Sequence, residues 1–152
     1  MPPKATHTLR RRTGDPLGDE RGFTMVELLV VILLVGILAA IAIGTLLDQR
    51  QKGNDAEAKS NARSLVSHVE ACHVDAEDYR LCDTAAEVGV TGLALGAGPG
   101  ESTLSATNKG SYQVVAHSRS GTDFTIRRVD GGAAERLCSD PGAGSCRADG
   151  TW

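Results

Sequence analysis

Phe23-Thr24-Met25-Val26-Glu27-Leu28-Leu29-Val30-Val31-Ile32-Leu33-Leu34-Val35-Gly36-Ile37-Leu38-Ala39-Ala40-Ile41-Ala42-Ile43-Gly44-Thr45-Leu46-Leu47 is a run in which Glu27 carries the sole charge. A helix needs about 20 apolar residues to cross the hydrocarbon of a bilayer, and this run is long enough to do so. A carboxylate at mid-membrane costs roughly 2.5–3.5 kcal/mol on insertion scales, so Glu27 calls for a partner or a function. It stands in the first turns of the expected helix, where a positive group can meet it.

Working outward, the segment Arg21-Gly22-Phe23-Thr24-Met25-Val26-Glu27-Leu28-Leu29-Val30-Val31-Ile32 joins a basic leader, a glycine, an aromatic, a glutamate at fixed offset and a long apolar helix. That combination resembles the cleavage and methylation motif of type IV prepilins and type II secretion pseudopilins. The resemblance reaches from residue 18 to residue 47. It implies a structural subunit and not an enzyme. A prepilin peptidase and methyltransferase would cut between Gly22 and Phe23 and N-methylate Phe23. Glu27, the fifth residue of the product, would serve assembly, and the apolar helix would become the core of a filament. The implied partners are further copies of the chain, an inner-membrane assembly platform with its ATPase, and membrane lipid before assembly. No cofactor is implied.

The chemistry of these positions is consistent with that role. Before cleavage, Phe23 has an amide nitrogen and the sequence offers Glu27 no obvious partner. Cleavage makes an α-amino group, cationic near neutral pH, within about one helical turn of the carboxylate. The amine of a neighbouring subunit is a second candidate, and in a low-dielectric bundle such a pair would fix register. Methylation leaves a secondary amine that still carries a proton. Gly22 lets the backbone lie close in a peptidase active site. The plainer alternative is that Glu27 snorkels to the interface from near the helix end.

Two other readings of the N-terminal region remain open. A basic start, an apolar run and Ala40-Ile41-Ala42 also fit a secretory signal cut after Ala42, although the apolar region is longer than usual and contains Glu27. An uncleaved single-span anchor is the other. Arg10-Arg11-Arg12 before the span favour a cytoplasmic N-terminus, but Arg50, Lys52, Lys59 and Arg63 follow it closely. The prepilin resemblance and the cysteines place the C-terminal body outside the cytoplasm, in a surface or envelope filament.

The sequence of 152 residues leaves room for one modest domain after a leader and a span. The formal charge is −3, and Lys4, Arg10, Arg11, Arg12 and Arg21 against Asp15, Asp19 and Glu20 make the leader positive, so the remainder is more acidic than the whole. A mildly acidic exterior gives no general attraction to nucleic acid. Aromatic residues are 3% of the chain, so the core must rest on Val, Leu, Ile and Ala, and covalent staples would help.

The expected fold is α+β: a long N-terminal helix, its first half transmembrane, packed on a small antiparallel sheet of three to four strands. The expected organisation is a leader over residues 1–22, a transmembrane or filament-core helix over 23–47 and an extracytoplasmic body over 48–152. Ala58, Ala62, Leu65, Val66, Val69 and Cys72 fall on one stripe, opposite Glu57, Lys59, Arg63, Ser67 and Glu70, so the helix should continue to near Val74 and turn amphipathic. Gly36, Gly44 and Gly53 each weaken it by roughly 1 kcal/mol relative to Ala. Many type IV pilins have a helix-distorting proline at the position of Gly44. Its absence implies a smoother helix, or local melting near Gly44 in a filament; close helix packing is the plainer reason for a small residue there.

Residues 75–110 read as loop, with a short helical turn at Thr84–Val88. Alternation then begins, with Tyr112, Val114 and Ala116 on one face of a strand and Phe124 and Ile126 on one face of the next. Ser118-Arg119-Ser120-Gly121-Thr122 reads as the turn between them, and Asp130-Gly131-Gly132 leads to a third strand near Ala134–Cys138.

Four cysteines permit three pairings. The local pairing Cys72–Cys82 and Cys138–Cys146 is expected, pinning the helix end to its loop and the tail to the last strand. A metal site would need His68, His73 or His117 beside these cysteines, and His68 with Cys72 is the sole helical ligand spacing, so no metal is expected. Trp152, the single tryptophan, should pack across the sheet or into a subunit contact.

Overall fold

The computed structural model describes residues 22–152. The leader, apart from Gly22, lies outside the described residues, and so do its arginines. The protein has a long apolar N-terminal helix and a four-stranded antiparallel sheet in an α+β arrangement. It divides into two compact units, one ending at Ala39 and one comprising Ala40–Trp152, and each is described by itself.

In the first unit the helix, α1 (Met25–Ala76), begins two residues after Phe23. Every side chain from Phe23 to Ala39 is exposed. Leu29 is 61% exposed and Ile32 60%, values at which most of the apolar surface has no protein neighbour. The stretch is long and apolar enough to cross a membrane by length and composition.

In the second unit α1 stays helical through Gly44 and Gly53. It ends at Ala76, where Glu77 adopts a left-handed backbone (φ 52°) and donates its N–H to the His73 carbonyl at 2.8 Å. That is how a left-handed residue closes a helix, here without glycine. Ala58, Ala62, Leu65 and Val69 are buried on the stripe read from the sequence, and Val66 and Cys72 pack beside them.

The sheet runs β1 (Ser102–Asn108), β2 (Ser111–His117), β3 (Asp123–Arg128) and β4 (Glu135–Cys138), paired in that order. Register sets Val114 opposite Ile126 and Ala116 opposite Phe124, so the buried side chains Tyr112, Val114, Ala116, Phe124 and Ile126 form one continuous face under the helix stripe. Gly121, at φ 98°, closes the expected turn between β2 and β3. The β3–β4 turn uses Asp130 and Gly131, at φ 45° and 72°.

The sheet starts earlier than expected. β1 falls inside the stretch read as loop, because Ser-Thr-Leu-Ser-Ala-Thr-Asn carries a single large apolar residue and shows little alternation. It is an edge strand in the sheet, hydrogen-bonded to β2 on one side, and it needs less apolar surface than a central strand. The rest of that stretch holds a single 3-10 turn, η1 (Tyr79–Leu81), and a turn in which Val88 N–H donates to the Thr84 carbonyl at 3.1 Å.

The C-terminal tail folds back on β4. Cys138 N–H donates to the Gly150 carbonyl at 2.8 Å, and Leu137 bridges to Thr151. Trp152 then lies against the sheet, edge-on to Phe124 with ring centroids 5.8 Å apart, and its indole N–H donates to the Thr125 carbonyl at 3.3 Å.

Candidate functional site

Gly22 and Phe23 precede the first helical residue, and both are exposed, Phe23 at 82%. Thr24 is the residue that starts the helix. Its Oγ1 accepts the Glu27 N–H at 3.2 Å, while Glu27 Oε2 accepts the Thr24 N–H and the Thr24 hydroxyl, both at 2.9 Å. This reciprocal exchange is a capping box, which satisfies two of the N–H groups a helix start leaves unpaired.

The capping box corrects one sequence-based reading. Glu27 does have a partner in the uncleaved chain, and it is Thr24. The signal was present as Thr24-Met25-Val26-Glu27 ahead of an apolar run, the T-x-x-E pattern of a helix start. Among the described residues no hydrogen bond uses Glu27 Oε1, so the carboxylate holds the helix start with one oxygen and presents the other.

Two internal polar clusters seat the second half of α1 on the sheet, and both were missed in the sequence. Asp55 is fully buried. Its Oδ1 accepts the Ser118 hydroxyl at 2.8 Å and the Ser120 hydroxyl, and its Oδ2 accepts the Ser145 N–H at 3.0 Å. Burial pushes its pKa up, but these donors outweigh burial and hold it below the ordinary aspartate value. Ser118 and Ser120 belong to the β2–β3 turn and Ser145 to the loop closed by Cys138 and Cys146. One helix carboxylate therefore ties two separate segments.

Glu70 is the second cluster. Its Oε1 accepts from the Tyr112 hydroxyl at 2.9 Å, its Oε2 from the Tyr79 hydroxyl at 2.8 Å, and Arg128 Nη1 reaches Oε1 at 3.0 Å. Burial again raises its pKa, and the two phenols with the Arg128 charge bring it below the ordinary value. Burial first, and then the Glu70 carboxylate, raise the Tyr79 and Tyr112 pKa values against the opposing Arg128 charge. His73 stacks on Tyr79 with centroids 3.8 Å apart, covering the cluster.

The cysteines form Cys72–Cys82 and Cys138–Cys146, the local pairing expected from spacing, each with Cα atoms 5.9 Å apart. The first joins the last turns of α1 to the residue after η1; it takes Cys72 away from His68, the helical ligand spacing considered for metal. The second clamps β4 to the tail. His117 is engaged elsewhere, its Nδ1 lying 2.9 Å from Asp123 Oδ1.

Comparison with known proteins agrees with this geometry. Residues 18–43 match the prokaryotic N-terminal methylation motif. The chain is 31% identical over 116 residues to the type IV wide pilus major component PilA4 of Thermus thermophilus, covering 75% of this chain and 86% of that protein. It is 38% identical over 69 residues to the type IV major pilin protein PilA of Myxococcus xanthus, covering 45% of this chain and 30% of that one. A type II secretion system core protein G from Dickeya chrysanthemi is 32% identical over 60 residues, 40% of this chain and 39% of that protein. An exposed apolar helix with a capped glutamate at its start, a disulfide-stapled antiparallel body and these similarities together establish that the chain belongs to the type IV pilin and type II secretion pseudopilin family.

Proposed function

We propose that the protein is a structural subunit of a type IV pilus-like filament. It is made as a membrane precursor with a cytoplasmic N-terminus, cut between Gly22 and Phe23, N-methylated on Phe23 and assembled through the first half of α1. The observation that carries this reading is an apolar helix with every side chain from Phe23 to Leu47 exposed, together with a single carboxylate held at its start. Such a surface is not stable in water, and it has two natural solvents: lipid before assembly and copies of itself afterwards.

Glu27 Oε1 is the acceptor for a cationic amine at Phe23, from a neighbouring subunit or from the same one. The partners that follow are prepilin peptidase with its methyltransferase activity, and an inner-membrane assembly platform with its ATPase. The body stands outside the cytoplasm, where an oxidising environment suits both disulfides.

A pilus is favoured over a secretion pseudopilus by extent of similarity. The match to PilA4 covers most of both chains, whereas the match to core protein G covers less than half of each. The test is intact-mass and N-terminal peptide analysis of the protein from its native cells. An N-terminus at methylated Phe23 supports prepilin processing. An N-terminus at Ile43, or an intact Met1, overturns it and leaves a secreted or tethered domain.

A further inference from the structure

The body carries a tryptophan ringed by cations. Arg63 Cζ lies 4.9 Å and Arg136 Cζ 5.6 Å from the Trp152 ring centroid. Both arginines are exposed, and among the described residues neither takes part in an ion pair. Lys59 also faces the ring at 5.8 Å, but its ammonium donates to the Ser145 carbonyl and feels the Asp55 charge. Arg63 and Arg136 are cations of this surface left to meet something outside the subunit.

A second surface has the opposite character. Val74 is 78% exposed and Leu81 56%, on the last turn of α1 and on η1, which the Cys72–Cys82 bond holds beside it. Asp75 and Glu77 are exposed next to them, and among the described residues neither has an ion-pair partner. Asp78, the neighbouring acid, is already paired with Arg80.

The two surfaces lie on different flanks of the helix. Successive residues turn about 100°, so Lys59 and Arg63 fall together, and Asp75 falls about 120–160° around the axis from them. It also lies about 18–24 Å further along at 1.5 Å per residue. A cationic aromatic patch on one flank and an acidic aliphatic patch on the other cannot meet within one subunit. They are complementary between two.

We propose that these surfaces dock on each other in successive copies of the chain: Arg63, Arg136 and Trp152 of one subunit meet Asp75, Glu77, Val74 and Leu81 of the next. The contact uses two different patches, so it is heterologous and repeats without closing unless the rotation forms a ring. A free polyanion is a poorer occupant, because the chain beyond the leader is net acidic and would repel it. The proposal rests on the filament reading and adds the body-to-body contact that sets the axial step.

The test uses the full chain in its native cells, with sheared surface filaments quantified and both disulfides verified by thiol labelling. Arg63→Glu with Arg136→Glu is expected to lower filament yield about tenfold or more, since like charges at an interface are costly. Asp75→Arg with Glu77→Arg should do the same, and the four changes combined should recover most of the yield. Arg63→Gln with Arg136→Gln, milder for folding, should give an intermediate loss. Disulfide-bonded reversal variants that assemble like the wild type overturn the proposal, as does failure of the combined variant to recover. Binding of heparin or single-stranded DNA that these arginine changes abolish, with assembly untouched, reassigns the patch to a polyanion and also overturns it. A wild type that yields no filaments, with Phe23 unprocessed, overturns the filament reading itself.

Discussion

Tyr112 on β2 donates its hydroxyl to Glu70 on α1 across 2.9 Å, and Tyr79 reaches the other oxygen of the same carboxylate. Tyr112 is 2% exposed, so its hydroxyl has no water to fall back on. Tyr112→Phe removes one donor from a charged acceptor and should cost about 1.5–3 kcal/mol. Tyr79→Phe should cost a similar amount, and the double variant should depart from additivity because both phenols serve one carboxylate. Chemical denaturation of the four proteins measures this.

Glu70 and Asp55 both have lowered folded-state pKa values, so their stabilisation has a defined sign with pH. It is fully present above the unfolded values, 4.5 for Glu70 and 3.8 for Asp55, and it is lost as pH falls through the folded values below them. The melting temperature should therefore hold steady down to that range and then drop. Glu70→Gln and Asp55→Asn should each flatten part of the drop.

Gly144 and Gly142 both have positive φ, 54° and 84°, but their surroundings differ. A Cβ at Gly144 would meet Asp55 Oδ2 at 2.5 Å, whereas one at Gly142 would meet nothing within 4 Å. Gly142→Ala should cost about 1–2 kcal/mol through backbone conformation alone. Gly144→Ala should cost more, because it also displaces the Asp55 carboxylate from the Ser145 N–H. Thermal melts of the two variants distinguish them.

Glu27→Gln separates two duties of one side chain. Glutamine retains a capping box, so the helix start should persist. The charge proposed to attract an amine is gone. Filament yield should fall strongly in Glu27→Gln while circular dichroism of the purified protein in detergent is unchanged. Thr24→Ala should do the reverse, loosening the helix start by about 1 kcal/mol with the charge intact.

The Cys138–Cys146 bond clamps the tail that delivers Trp152 to the sheet. Cys138→Ser with Cys146→Ser should cost about 2–3 kcal/mol. Trp152 fluorescence should shift to the red as its indole loses Phe124 and Thr125. Since there is a single tryptophan, the signal reports on the tail directly.

The fold was legible where apolar residues recur with a clear period. The span, the stripe from Ala58 to Val69, the faces of β2 and β3 and the local disulfides all follow from spacing. β1 was not, because among its inward positions Ser102, Leu104 and Ala106 only Leu104 is large and apolar, too little to advertise a buried face. The Asp55 and Glu70 clusters were invisible for another reason. Their partners lie from 9 to 90 residues away in the chain, and a lone acid on a helix reads as solvated until its donors are found. Over residues 22–27 the order of residue types was readable, while the role of Thr24 needed the geometry of the helix start.

Asp55 also imposes an order of events. Its donors are Ser118, Ser120 and Ser145, and the last is 90 residues downstream. During synthesis the apolar anchor and this aspartate emerge long before the segment that satisfies it. Ser118 and Ser120 supply Oδ1 first, and Oδ2 lacks its donor until the residues around Ser145 arrive. A chain stalled short of Ser145 would keep the helix stripe on the sheet with one carboxylate oxygen of Asp55 unanswered, so the last contact to form is the one made by the disulfide-closed tail.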